Sequence, residues 1–347
     1  MSYFSEERII EVKTDSEKNM VSNFLKEQGL SLEDDVEYTV ALLKNDTIIG
    51  TGSLNGRILK CIAVVPEFQG TGISNKIVSR LVSEAYFRGN THLFIYTKPK
   101  NEFLFSDMGF YKIAEVSDRV CLMENKSNGI QSYVKELVKY KKEGSKIATI
   151  VMNCNPFTLG HQYIIEKASA ENDIVHVFIV WEDRSSFPSE IRYRLAKEGT
   201  KHLSNVILHK GKDYIISNAT FPSYFLKEKS DVAETHARLD LEIFKEYIVP
   251  ALKINKRYIG EEPYCAVTKK YNEIMKIVLP AVGVEVEEIK RSSVEGEYIS
   301  ASMVRKLIVS KKLSEAKKFL PMTTYNFLIS QEGLKIINNM IDLNAKH

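Results

Sequence analysis

The spacing of apolar positions divides the chain near residues 124–146. Ahead of that point, short apolar runs alternate with turn-forming residues. Val36 to Leu43 reads as a strand, and Thr47 to Leu54 as its partner across the turn Lys44-Asn45-Asp46, which predicts a hairpin. Arg57 to Val65 is a further apolar run that stops at Pro66. After a glycine-containing loop, Ser74 to Arg88 carries apolar residues at helical spacing. His92 to Tyr96 is β-rich, and Lys112 to Met123 supplies a last strand. The predicted order is a helix, several strands, and then a helix between strands.

Glu124 to Gly129 is turn-like, and a charged helix follows it to about Lys142, ending near Gly144. We therefore expect a first domain over residues 1–125, a helical linker over 126–145, and a second domain with C-terminal helices over 146–347. The second half opens on Ile147 to Met152, an apolar run short enough for a strand buried on both faces. A helix at about Gly160–Ala170, a strand at Ile174–Val180, a helix at Pro188–Lys201 and a strand at Val206–Leu208 follow. Arg257–Gly260 and Val284–Ile289 are later strands. Such alternation predicts an α/β fold: an α+β domain, then a Rossmann-like, doubly wound parallel sheet with ligands at the carboxyl ends of its strands.

With 347 residues the chain can bury two cores. Its charges are mixed and its net charge is +3, which implies no nucleic-acid or membrane partner. No apolar run approaches the roughly 20 residues of a membrane helix. The opening Met1-Ser2-Tyr3-Phe4-Ser5-Glu6-Glu7-Arg8 is acidic and polar, unlike a secretory signal. Cys61, Cys121, Cys154 and Cys265 show no CxxC spacing, so buried thiols in a reducing compartment, the cytoplasm, are expected, with no metal site.

Candidate chemistry concentrates in three segments of the second half. Met152-Asn153-Cys154-Asn155-Pro156-Phe157-Thr158-Leu159-Gly160-His161 follows the first strand and enters a helix. A loop and a helix N-terminus offer unpaired backbone N–H groups to phosphates. Gly160 permits close approach of a nucleotide, and His161 can donate to phosphate oxygens as negative charge develops there. A helix start holding an ordinary satisfied histidine is the alternative. In Ile299-Ser300-Ala301-Ser302-Met303-Val304-Arg305, either serine can cap the following helix, whose N–H groups suit phosphates. Arg305 can bind phosphate oxygens with its planar fork. In Trp181 to Arg192, Ser186 or Ser189 can cap a helix while Arg184 and Arg192 reach phosphate or substrate, although a plain helix start explains this segment nearly as well.

The first two segments, in this order, resemble the nucleotidylyltransferase superfamily, whose first strand leads into a Pro-containing loop and His-x-Gly-His and whose second signature is Ile-Ser-x-Ser/Thr-x-x-Arg. Thr158 takes the place of the first histidine, and a hydroxyl can bond a phosphate but carries no charge. The string from Met152 to His161, together with Tyr258 to Cys265 and Val267 to Asn272, is similar to the citrate lyase ligase family in particular. That resemblance implies an ATP- and Mg²⁺-dependent ligase. It would activate acetate as acetyl-AMP, release pyrophosphate, and acetylate the thiol of the CoA-derived group on the acyl carrier subunit of citrate lyase. It places His161, Arg305 and Thr158 in catalysis, and Asn153, Asn155, Pro156, Phe157, Gly160, Ser300, Ser302, Arg192 and Arg184 around ATP. A pantetheine-phosphate or nicotinate-mononucleotide adenylyltransferase, or an N-acetyltransferase, are the competing readings.

In the first half, Gln69-Gly70-Thr71-Gly72-Ile73-Ser74 lies between a strand and a long helix, where backbone N–H groups can cradle a pyrophosphate. This stretch resembles motif A of the GNAT acetyltransferases, which implies a site for a CoA-like group. Phe105-Ser106-Asp107-Met108-Gly109-Phe110 resembles that family's Tyr-x-x-x-Gly-Phe, with Phe105 where the general-acid tyrosine is usual. The expected role is therefore binding of a CoA-like group without transfer.

Overall fold

The computed structural model describes residues 7–182, 184–216, 221–226, 229–263 and 265–345. The chain forms two compact units, Met1–Ser132 with Pro222–Thr235 and Tyr133–Phe221 with His236–His347. The division therefore differs from the contiguous domains expected. Its first crossing lies inside the helix Gly129–Val138, and a segment from the second half belongs to the first unit. The physical reason is burial: Tyr224 and Phe225 of that segment are each 7% exposed, and the Tyr224 carbonyl accepts the Ser31 N–H.

The first unit is α+β. Its strands are β1 (Glu7–Glu11), β2 (Tyr38–Lys44), β3 (Thr47–Asn55), β4 (Ile58–Val64), β5 (Phe94–Thr97), β6 (Tyr111–Val116) and β7 (Val120–Glu124), in the sheet order β1-β2-β3-β4-β5-β7-β6. The expected hairpin forms, with Asn45 and Asp46 at φ of 49° and 64°, the left-handed pair that suits a tight turn between twisted strands. The helix Ile73–Phe87 packs Ile77 and Leu81 against β3. It can do so because Gly52 has no side chain: a Cβ there would lie 2.6 Å from Ile77 Cγ2. Lys112 to Met123 is two strands rather than one, since the chain reverses at Asp118, whose φ is 59°. β1 was not anticipated; it is a five-residue edge strand with charged ends. β4 and β5 run parallel and pair only at Ile58↔Phe94 and Leu59↔Ile95, so they part toward their carboxyl ends.

The second unit is the doubly wound sheet expected. β8 (Ile147–Met152), β9 (Ile174–Ile179), β10 (Val206–Lys210), β11 (Lys256–Gly260) and β12 (Glu285–Ile289) are all parallel, in the order β10-β9-β8-β11-β12. The chain winds outward from β8 to β10 and then returns to the other side of β8 with β11. The order reverses between β8 and β11, and an open α/β sheet binds ligands at the carboxyl end of that step. Helices Leu159–Glu171, Ser189–Thr200 and Ala301–Val309 share one core with Ile150, Met152 and Tyr258. On the opposite face, Phe178 of β9 meets Phe244 edge-on at 6.4 Å. The linker helix ends at Val138 rather than near Lys142, because Lys139, Tyr140 and Lys141 donate to carbonyls three residues back and close the turn.

Cys61, Cys121 and Cys154 are buried as expected, but Cys265 is exposed. Among the described residues no helix is long and apolar enough to cross a membrane.

Candidate active site

Beyond β8 the chain enters a loop that buried polar groups hold in shape. The Arg192 side chain is fully buried and sits behind this loop. Its Nε donates to the Phe187 carbonyl at 2.9 Å, and its Nη1 to the carbonyls of Asn153 and Val180 at 2.8 and 2.7 Å. Nη1 also meets Asn153 Oδ1, Nη2 donates to the Glu182 carbonyl, and the buried Glu182 carboxylate lies 3.7 Å away. This corrects the expectation for Arg192: a guanidinium enclosed by protein acceptors ties the ends of β8 and β9 together and cannot reach a phosphate. Asn155 is another scaffold residue. Its Oδ1 accepts the Phe187 N–H at 3.0 Å, its carbonyl accepts from Arg305, and its peptide bond to Pro156 is cis. Phe157 is fully buried, its ring against Gly199, where a Cβ would stand 2.3 Å from Phe157 Cε1.

In front of this scaffold lies a pocket of about 650 Å³ at the carboxyl ends of β8, β11 and β12, a volume suited to a nucleotide. Of the residues expected around ATP, it brings together Asn153, Thr158, Gly160, His161, Ser300, Ser302 and Arg305. Asn155, Pro156 and Phe157 stand buried behind the wall, so their expected contact with ATP becomes a supporting role. Arg184 is exposed and outside the lining, which corrects that expectation too. Neither Ser186 nor Ser189 caps, because the helix Ser189–Thr200 starts from Pro188 without a side-chain cap. Ser300 occupies the cap position of the helix Ala301–Val309, yet its hydroxyl pairs with that of Ser302 at 2.7 Å and caps nothing. The first-turn N–H groups of that helix are thereby left for a ligand or solvent.

The histidine is set by its own helix start. The Thr158 N–H donates to His161 Nδ1 at 3.0 Å, and the Thr158 hydroxyl lies 2.9 Å from the same atom. A backbone N–H can only donate, so Nδ1 is an acceptor and the ring proton resides on Nε2. The expected phosphate contact of Thr158 is thus corrected: the threonine, 1% exposed, orients the histidine. The imidazole stacks on Phe157 at 5.9 Å and 18°. Burial, with the charges of Arg291 and Arg305, pushes the His161 pKa down to about 4. The ring lines an open pocket, so burial alone is a partial cause, but both arginine charges act in the same direction. His161 is therefore a neutral donor at Nε2 near pH 7. Burial also lowers the pKa of Arg305, which stays charged.

The folded protein holds His161 neutral down to about pH 4, whereas a solvated imidazole in the unfolded chain titrates near 6.5. Between those values the unfolded state binds the extra proton, so this group withdraws stability as pH falls from 6.5 toward 4. We expect ¹⁵N spectra at pH 6 to show His161 as the neutral Nε2–H tautomer; a protonated ring at that pH would contradict the assignment.

Sequence reasoning missed several wall residues. Lys290, Arg291 and Ser292 follow β12, while Glu261, Glu262, Cys265 and Thr268 follow β11. The signal was available in their position just past strand ends, where a parallel sheet places its ligands. Apolar walls come from Ile150, Ile164, Ile259, Ile289 and Ile299. The arrangement offers an apolar slot, two guanidiniums, a neutral imidazole donor and two helix N-termini, a combination suited to a base with a polyphosphate.

The first unit has its own cavity of about 400 Å³, lined by Gln69, Gly70 and Ser74 with Phe105, Tyr224, Lys98 and Lys100. Gly70 and Gly72 have φ of 77° and 86°, and the latter begins the helix Ile73–Phe87. Two of the expected donors are spent: the N–H groups of Gln69 and Thr71 bond Pro66 and Phe68 carbonyls. The Thr71 hydroxyl also turns back to the Phe68 carbonyl, and Ile73 lies in the core at 2% exposure. The candidate cradle thus shrinks to Gly70, Gly72 and Ser74, since the Gln69 side-chain amide also donates, to the Val64 carbonyl at 3.2 Å. The Tyr224 hydroxyl donates to the Tyr96 carbonyl at 2.6 Å, and burial raises its pKa well above the usual value.

Residues 147–328 match the family model described as the citrate lyase ligase C-terminal domain. Over 93% of this chain and 95% of the relative's, the sequence is 40% identical to a citrate (pro-3S)-lyase ligase of Klebsiella pneumoniae. It is 38% identical to one of Escherichia coli strain K12, over 94% of both chains. Solved structures similar to the first third include a GNAT-family acetyltransferase of Staphylococcus aureus Mu50 (16% identity, TM-score 0.30, 35% of this chain and 100% of that one). Escherichia coli ElaA is another (11% identity, TM-score 0.31, 35% and 100%).

Proposed function

Since the chain belongs to the citrate lyase ligase family, we propose that this ligase activates acetate with ATP and passes the acetyl group to a thiol on the acyl carrier subunit of citrate lyase, in the cytoplasm. The observation that carries the reading is the neutral His161 Nε2–H standing with Arg305 in one pocket at the sheet's switch point. An acetate oxygen attacks the α-phosphorus of ATP, the bond from that phosphorus to the bridging oxygen breaks, and pyrophosphate leaves. Charge builds on the phosphate oxygens, where a fixed neutral donor and a guanidinium stabilise it without surrendering a proton. In the second step the carrier thiolate attacks the acetyl carbonyl and AMP departs.

Mg²⁺ enters this account as part of the nucleotide substrate. Of the two carboxylates on the wall, Glu262 is engaged by Arg291 and by the Cys265 N–H, and among the described residues no cluster of metal-ligating side chains lies at this pocket. The ion would neutralise phosphate charge, and the protein groups would orient the phosphates. A pyrophosphate-release assay with ATP and acetate, with and without a thiol-bearing carrier, tests the reaction. Release that ignores acetate would remove it.

The first unit's role is to hold the carrier's CoA-like arm. Its cavity offers Lys98, Lys100 and a glycine-turn helix start for a pyrophosphate, but among the described residues its lining includes no carboxylate or histidine to act as a base. Phe105 has no hydroxyl, and the Tyr224 hydroxyl is committed to a carbonyl. Ser74→Asp adds a negative charge that favours the helix start and repels a pyrophosphate. It is expected to raise the KM for the carrier about tenfold. A carrier KM within about twofold of the parent's would remove the first unit from this reading.

A further inference from the structure

We propose that Arg291 is a second cationic contact for the phosphates in the second unit's pocket, beside Arg305 and held in place by Glu262; the proposal rests on the ATP-dependent reading above and extends it. Arg291 stands two residues past β12, on the same wall as His161 and Arg305. Its Nε donates to the Glu261 carbonyl at 2.9 Å, and its Nη2 to Glu262 Oε2 at 2.7 Å. Both side chains of that pair retain 16% exposure, so the ion pair borders the pocket rather than lying in the core. The other Glu262 oxygen accepts the Cys265 N–H at 3.1 Å, at the head of the helix Ala266–Val278. One carboxylate therefore fastens the arginine to a rigid element.

The charge of Arg291 is felt at His161, as is that of Arg305, so both guanidiniums act on the imidazole that faces the substrate. Three donors directed at one space are what a triphosphate requires: its charge is too large for a single arginine, and a planar fork can take two oxygens at once. Glu262 offsets part of the cation's repulsion on Arg305 and fixes the fork's orientation. In this account Arg291 touches substrate, and Glu262 is a positioning residue.

The test compares the parent with Arg291→Ala, Arg291→Lys and Glu262→Gln in two measurements: acetate-dependent pyrophosphate release, and titration with ATP against adenosine. Arg291→Ala is expected to lower kcat/KM for ATP about 30-fold or more and to weaken ATP about tenfold, with adenosine binding nearly unchanged. Added guanidinium ion should restore part of the rate, and Arg291→Lys should recover little, because an ammonium lacks the fork. Glu262→Gln should raise the KM for ATP about fivefold without moving the thermal midpoint. An Arg291→Ala rate within about threefold of the parent, or equal losses for ATP and adenosine, would overturn the proposal. An unchanged KM in Glu262→Gln would remove that residue from it. If the parent binds ATP but releases no acetate-dependent pyrophosphate, the reaction reading fails, while the ATP-to-adenosine comparison still decides the role of Arg291.

Discussion

Replacing His161 with alanine is expected to lower kcat for acetate-dependent pyrophosphate release about 10²-fold or more, the usual cost of losing one preorganised donor to a developing oxyanion. The size follows from how the ring is held. Nδ1 is occupied by the Thr158 N–H, the ring face rests on Phe157, and the remaining proton lies on Nε2. Nothing is reorganised at the moment of reaction. The KM for ATP should change less than kcat, because a donor aimed at developing charge acts mainly in the transition state. Thr158→Val, which keeps the N–H contact and removes the hydroxyl, should cost far less. If His161→Ala left the rate unchanged, the catalytic assignment would be withdrawn.

The second large effect is on stability. Arg192→Ala removes a fully buried guanidinium that serves the carbonyls of Phe187, Asn153 and Val180 and lies beside the buried Glu182. Those acceptors would lose their donor, and Glu182 would be left without its countercharge. Breaking a buried pair by deleting one partner costs about 3–5 kcal/mol, so urea unfolding should show a loss of that order. The competing role, contact with phosphate, makes the opposite prediction: ATP affinity falls while the unfolding midpoint holds. A destabilisation under about 1 kcal/mol would favour that role and remove the scaffold assignment.

How much was legible in the sequence depended on whether local residues carried the information. The parallel strands were legible because Ile147–Met152 and Ile174–Ile179 are buried on both faces and read as apolar runs, each interrupted by one polar residue, Thr149 and His176. The pocket's first and last walls were legible because short signatures mark them, Met152 to His161 and Ile299 to Arg305. What stayed hidden was non-local. Arg192 and Arg184 looked alike in the sequence, and only packing separates the buried one from the exposed one. The Tyr224 segment joins the first unit through contacts to Ser31 and Tyr96, residues more than a hundred positions away. Arg291 belongs to the pocket because β12 lies beside β11, an order that no local pattern states. Ser300 illustrates a subtler failure: it sits at the cap position foreseen, yet its hydroxyl turns to Ser302.

The central claim, attack of a carboxylate on the α-phosphate of ATP, is tested most directly by isotope transfer. Acetate labelled with ¹⁸O in both oxygens would be incubated with ATP, enzyme and a thiol-bearing carrier, and the products examined by mass spectrometry. If the oxygen of acetate bonds to the α-phosphorus and the thiol then cleaves the acyl C–O bond, one ¹⁸O appears in the phosphate of AMP and none in pyrophosphate. Label in inorganic phosphate alongside ADP, or AMP free of label, would contradict the account.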